Sequence, residues 1–296
     1  VSRPKVIYVM GAGRSGSTIL GVTLGNCSGV FFAGELDRWF ARSGVPRRAE
    51  PELRRFWDQI LPLVEDAQAL FDSRTGWIER SSAALDPRKL ATRRRLRRRY
   101  RLGSERLYRA IASVTGATHI VDTSHYPLRA RALQALPGVE LYLLFLVRDP
   151  QRVVASLGRD DVVERRFDVP TSNAYLWLTH LLATRVFLRH PRERRMFVRH
   201  EDFLADPDGV IRQLLDWAGS SAPPPPLGSL SVGVPFHGNR LIDAELVELQ
   251  PPPRTPEPRS RITALLQLPW RAVFSTLAPA ARAGGRSPLR CTAAPR

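Results

Sequence analysis

Cysteine is scarce: Cys27 and Cys291 are the only two in 296 residues, and they offer neither metal-ligand spacing nor a disulfide framework. A reducing compartment suits such a chain. Long apolar runs are missing as well. The longest, residues 141–147, is far too short to cross a bilayer. The first residues enter a strand-like segment at once and leave no room for a cleavable leader, so a cytoplasmic location is expected; an anchor upstream of residue 1 stays open. No period of solenoid or propeller length recurs. Lysine is nearly absent, with Lys5 and Lys89 alone, so arginine carries almost all of a net charge of +17. GC-rich coding sequence produces such a bias, but guanidinium forks also suit phosphate and sulfate. A positive field further steers anions toward a cleft. The densest run, residues 93–101 (RRRLRRRYR), reads as the solvated face of a helix, with peripheral membrane contact as a secondary expectation. No aromatic ladder accompanies it, so no nucleic-acid partner is expected.

What is present is a chain long enough, at 43% hydrophobic, for one α/β core. Residues 6–10 (VIYVM) and 140–147 (ELYLLFLV) are continuous apolar runs, the pattern of strands buried on both faces of a parallel sheet. Shorter strands are expected at 30–33, 118–123 and 196–199. Helices are expected at 15–26, from about 35, at 51–71, through the basic stretch, and at 104–115, 128–136, 149–157, 172–189 and 207–218. Alternation of strand and helix predicts a mostly parallel central sheet wrapped by helices. A single domain is expected over residues 1–245, with a helical acceptor region at about 45–116. Proline clusters at 222–227 and 250–258 mark extended segments, and residues 246–296 read as a proline-rich, partly disordered C-terminal extension.

Between the first strand and the first helix stands Gly11-Ala12-Gly13-Arg14-Ser15-Gly16-Ser17-Thr18. Glycines let the backbone curl around an oxyanion, and the helix start aims free N–H groups at it. The nucleoside-triphosphate pattern G-x-x-x-x-G-K-[ST] fits at Gly11, Gly16 and Thr18, but Ser17 takes the lysine position, which argues against a kinase or NTPase. A dinucleotide fingerprint also matches at Gly11, Gly13 and Gly16, with Glu35 near the position of a ribose-binding acid; on its own that pattern is weak. A third reading uses Arg14, Ser15, Ser17 and Thr18: one cation and several hydroxyls suit a 5′-phosphosulfate without a metal.

The loop resembles the 5′-phosphosulfate loop of the sulfotransferases that use 3′-phosphoadenosine 5′-phosphosulfate (PAPS), in which a lysine or arginine precedes S-G-[ST]-T. A second motif extends the resemblance. The strand at 141–147 runs into Arg148-Asp149-Pro150, and Ser156 follows eight residues after Arg148, similar to the family's 3′-phosphate motif. Residues 197–202 (FVRHED) with Asp206-Pro207 resemble a further family strand; here His200 stands where a tyrosine usually touches the adenine. His237-Gly238-Asn239-Arg240 resembles the late loop that closes on the nucleotide, with Arg240 as a second 3′-phosphate contact and Gly238 as a loop former. The resemblance covers roughly residues 5–240. It implies a P-loop-like sulfotransferase fold, and a nucleotide site of Gly13, Arg14, Ser15, Gly16, Ser17, Thr18, Arg148, Ser156, His200, Asn239 and Arg240. It also implies sulfuryl transfer by in-line displacement, with PAPS as co-substrate, adenosine 3′,5′-bisphosphate (PAP) as product and no metal.

Arg14 is then the expected charge stabiliser, and two residues are candidates for the base. Glu35, in Phe-Ala-Gly-Glu-Leu, resembles the glutamate of the tyrosylprotein branch. His125, in Ser-His-Tyr-Pro-Leu, resembles the histidine of the small-molecule branch. Several relatives carry a lysine near residue 124 that is missing here; Ser124 or His125 is expected to cover part of its role. The sequence leaves the choice of base open, with a slight lean to Glu35. The acceptor is a hydroxyl or amine on a small molecule, carbohydrate or lipid. A dinucleotide oxidoreductase and a non-catalytic anion-binding protein are the competing readings.

Overall fold

The computed structural model describes residues 3–65, 67–71, 79–159, 167–249 and 260–282. The proline cluster at 250–258, Cys291 and the last dozen residues lie outside the described residues. Five parallel strands, β1 (Lys5–Gly11), β2 (Val30–Gly34), β3 (His119–His125), β4 (Glu140–Val147) and β5 (Arg195–Arg199), form the central sheet in the order β2-β3-β1-β4-β5. Successive side chains of a strand point to opposite faces, and β1 shows why the sheet needs helices on both. Val6, Tyr8 and Met10 enter one apolar cluster, whereas Ile7 and Val9 enter the other. β4 divides in the same way, with Leu143 and Phe145 on the first side and Leu144 and Leu146 on the second. Residues 6–10 of β1 and 141–147 of β4 are therefore hydrophobic on both faces, as read from the sequence.

The second side is covered by α1 (Ser17–Gly25), α8 (His200–Ala205) and α9 (Pro207–Ala218), which contribute Leu20, Phe203, Ile211 and Leu214. The first side holds α2 (Asp37–Ala41), α3 (Pro51–Ile60), α4 (Pro87–Thr115), α5 (Pro127–Leu133) and α7 (Val169–Leu188). α6 (Pro150–Leu157) packs with α7 through Val153, Leu157 and Leu176. Asp86, Asp149, Asp168 and Asp206 each accept from a first-turn N–H of α4, α6, α7 and α9, with proline as the next residue or the one after it. Two short strands, β6 (Leu230–Ser231) and β7 (Leu246–Val247), pair separately from the main sheet.

Three elements differ from the expectation. The helix expected over 51–71 stops at Ile60 and gives way to 3-10 turns at Leu61–Leu63 and Ala67–Leu70. Pro62 explains this, since its ring and missing N–H do not fit an α-helix interior. The basic stretch and residues 104–115 merge into the single helix α4. Gly103 lies inside it because a Cβ there would come within 2.8 Å of Leu70 and 3.1 Å of Phe40. Residues 261–282, read as part of a proline-rich extension, form α10 (Arg261–Leu266) and α11 (Leu268–Arg282). Phe274 of α11 packs against the rings of Phe145 and Phe197 on the sheet. Buried side chains staple α10 to α7: Asn173 Nδ2 donates to Thr263 Oγ1 at 3.1 Å, and Gln267 Nε2 donates to Asn173 Oδ1 at 2.9 Å. Among the described residues no helix is long and apolar enough to cross a membrane.

Candidate active site

In an open parallel sheet the ligand crevice lies beyond the carboxyl ends of the strands, where the chain order reverses. That point here is β1, flanked by β3 on one side and β4 on the other. Each of the five strand ends delivers a sequence-predicted residue: Gly13 to Thr18 after β1, Glu35 after β2, His125 at β3, Arg148 after β4 and His200 after β5.

The loop after β1 curls because Arg14 and Gly16 both take positive φ, 70° and 87°. Gly16 is required there for a second reason. A Cβ on it would sit 2.3 Å from the His200 imidazole. α1 then begins with no side-chain cap and no acidic residue in its first turn, so its leading N–H groups face the loop uncompensated. Ser15 and Thr18 are buried beneath it. Tyr175 of α7, which no sequence motif marks, accepts a hydrogen bond from the Gly13 N–H at 2.8 Å. With Gly13 162 residues away in sequence, no local pattern points to that pairing.

The two phosphate motifs meet directly. Arg148 Nη1 donates to the Arg14 carbonyl at 3.1 Å, and Arg14 Nε donates to Ser156 Oγ at 3.1 Å. Burial lowers the pKa of Arg14, and the nearby charges of Arg148, Arg240 and Arg159 lower it further, against one opposing carboxylate, Glu35. Arg14 and Arg148 thus meet at the crevice, with the exposed Arg159 and Arg240 near enough to act on Arg14 through their charge. His200 adds no charge: burial, with Arg148 and Arg152 nearby, pushes its imidazole down to about 4, so it is neutral at ordinary pH. Its Nδ1 is buried without a hydrogen-bond partner.

The late loop closes over β2. Glu35 N–H donates to the His237 carbonyl at 2.8 Å, and His237 Nδ1 meets Glu35 Oε2 at 3.0 Å. Arg47 Nη1 donates to the Gly238 carbonyl at 2.6 Å. The Oδ1 of Asn239 accepts from Leu241 N–H at 2.8 Å and so caps the turn carrying Arg240. Burial pushes the Glu35 carboxyl up, but the His237 hydrogen bond and the charges of His125, His237 and Arg38 outweigh it and hold the group at about 2. His125 has φ 54°, and its Nε2 lies 3.6 Å from where a Gly13 Cβ would be. Burial lowers its pKa below the usual imidazole value, while Glu35 acts in the opposite sense. His125 therefore lies beside the loop, and Glu35 is near enough to act on the charges of His125 and Arg14. Ser124 does not take over a lysine's role: it is fully buried, its hydroxyl donating to Asp122 and accepting from Asp37 N–H at 2.9 Å.

A family model described as "Sulfotransferase family" matches residues 4–224. The chain belongs to the sulfotransferase family. Among solved structures, the "Sulfotransferase Domain from the Curacin Biosynthetic Pathway" aligns at 16% identity with a TM-score of 0.53, covering 92% of this chain and 99% of that one. The "Sulfotransferase Domain from the Synechococcus PCC 7002 Olefin Synthase" aligns at 16% identity, 92% and 96% coverage and a TM-score of 0.48. At such identities the first likeness carries the fold alone. Among curated proteins, none matches the chain. For this sulfotransferase, the anion-compatible groups and the two base candidates come from the carboxyl ends of the strands. A broad cavity of about 1050 Å³ at the other end, around Lys5, His119 and Gly219, holds none of them. Among the described residues no cluster of three or more His, Cys, Asp or Glu could hold a metal.

Proposed function

We propose that this sulfotransferase moves a sulfuryl group from PAPS to an acceptor hydroxyl or amine. The observation that carries the reading is the meeting of Arg14, Arg148 and Ser156 beside the uncapped start of α1, with Arg240 and Arg159 adding charge from nearby. Cations this close repel one another and call for a multiply charged ligand. Gly13 to Thr18 would hold the 5′-phosphosulfate, and Arg148, Ser156 and Arg240 the 3′-phosphate. His200 packs against the loop at Gly16 and, being neutral, would face the adenine. When bound there, PAPS would supply an electrophilic sulfuryl group, whose sulfur bonds to the acceptor in line as its bond to the PAP oxygen breaks.

Arg14 and the α1 N–H groups would stabilise charge on the transferring group's oxygens. His125 would take the acceptor proton. Burial lowers its pKa, so the imidazole is neutral and able to accept a proton at ordinary pH, whereas Glu35, held at about 2, is a weak base. Glu35 would instead keep its charge beside His125 and His237, favouring the imidazolium formed as the proton arrives. The acceptor class, small molecule, carbohydrate or lipid, would be set by the helical region at about 45–116, which includes α3 and α4. The reading is tested by following label from PAPS bearing sulfur-35 into cell-extract acceptors with EDTA present. Labelled product that disappears with Arg14→Ala supports it. Label transfer that requires added magnesium, or no transfer from PAPS although the protein is folded, removes it.

A further inference from the structure

The arginine run at 93–101 is not uniformly solvated. Arg95, Arg98 and Arg99 are exposed, but Arg93 and Arg101 are partly buried and Tyr100 is buried. Residues 90, 93, 94, 97 and 101 share one face of α4 at helical spacing. That face and Arg131 of α5 line a recess of about 250 Å³, floored by Tyr100, Leu128 and Glu79. Five arginines therefore point at one small cavity that shares no residue with the strand-end crevice.

None of the five makes a salt bridge among the described residues. Arg93 donates instead to the Leu128 carbonyl, which fixes it across the gap between α4 and α5. Arg101 Nε is buried and has no hydrogen-bond partner. Burial lowers the pKa of both Arg93 and Arg101; the Glu79 carboxyl opposes this at Arg93, while the charges of Arg97 and Arg131 lower each further. The one carboxyl in the wall, Glu79, gives its Oε1 to Arg129 at 3.4 Å. Burial also pushes Glu79 up to about 7, which weakens it as a counter-charge. An unsatisfied buried donor and converging like charges are both unfavourable, and a bound oxyanion relieves both.

We propose that this recess is a second anion site, which takes a phosphate- or sulfate-ester group. Its volume lies just below that of ordinary small-ligand clefts, so it suits a compact, multiply charged head and not a polymer. Guanidinium forks from two helices can grip such a group from opposite sides. The ester can be carried on a free small molecule or displayed as a lipid headgroup, and the two sources are separable by experiment.

The test uses the full chain saturated with PAP, so that the strand-end arginines are occupied, and titrates inorganic pyrophosphate by calorimetry. Arg97→Gln with Arg131→Gln removes two exposed side chains, and an unchanged thermal midpoint without ligand shows that the fold is kept. Saturable binding that weakens at least ~10-fold in this double variant is the expected result, as for the removal of charge-assisted hydrogen bonds. Binding unaffected by the double variant, or no binding to the PAP-saturated protein, overturns the site. Arg148→Ala should leave pyrophosphate binding at the recess unchanged even if PAP itself no longer binds, provided the strand-end contribution is subtracted with the double variant. Vesicles containing phosphatidic acid make the second arm. Capture that soluble pyrophosphate displaces and that the double variant loses assigns a lipid headgroup; soluble binding without capture assigns a free ester. Either supports the recess.

Discussion

Replacing Glu35 and His125 one at a time separates two roles that their shared crevice keeps together. His125 occupies a left-handed conformation with φ 54°, so asparagine, which tolerates that region, is the substitution that spares the backbone. If His125 takes the proton, His125→Asn should lower kcat by about 10²–10⁴-fold, the usual share of a general base, or ~2.7–5.4 kcal/mol of barrier. The rising limb of the pH–rate profile should vanish with it. In the unaltered protein that limb should inflect below the ordinary imidazole value, because burial depresses the His125 pKa and the base works only once deprotonated. Glu35→Gln keeps the size of the side chain and a hydrogen bond with His237 but removes a charge that raises the His125 pKa. The limb should therefore move to still lower pH, with a loss of rate below the ~10² expected for a missing base. Initial rates of PAP release across pH, with one fixed acceptor, give both quantities. A loss of ~10²–10⁴ from Glu35→Gln, with His125→Asn changing KM alone, would refute the assignment and make Glu35 the base.

Two further substitutions test the architecture beneath the site. Gly16→Ala combines φ 87° with a Cβ 2.3 Å from His200, so it should cost about 2–5 kcal/mol of stability in urea unfolding; a change under ~0.5 kcal/mol would contradict the packing. Arg129 is fully buried between Asp122, at 3.1 Å, and Glu79, at 3.4 Å, with Tyr100 and Tyr108 also bonded to it. Arg129→Met leaves those carboxyls uncompensated and should cost about 3–5 kcal/mol, again by urea unfolding, whereas a neutral result would show that the network relaxes.

The strands and the candidate residues at their ends were legible because a parallel sheet buried on both faces writes continuous apolar runs, and those residues follow the runs directly. Gly13 to Thr18, Arg148 and His200 are each local features of that kind. What escaped the sequence depends on distant partners. Tyr175 reaches Gly13 from α7, and Asn173 meets Thr263 and Gln267 at sequence separations of 90 and 94. Gly103 sits in a helix for the sake of Phe40 and Leu70, not for its own propensity. Ser124 illustrates the opposite error: beside His125 it reads as a site residue, yet its strand register turns it inward onto Asp122. The arginine run was legible as a helix, but its division into outward and inward faces required the position of α5.

The central claim, that the strand ends hold a nucleotide through its 3′-phosphate, is tested most directly by titrating the protein with PAP and with AMP in a calorimeter. The two ligands differ only in the 3′-phosphate, the group proposed to meet Arg148 and Ser156. PAP should bind far more tightly than AMP. Arg148→Ala should weaken PAP by about 2–5 kcal/mol, as when one partner of a desolvated charge pair is removed, while leaving AMP nearly unchanged. Equal affinity for PAP and AMP, or an Arg148→Ala variant that binds PAP as the unaltered protein does, would contradict it.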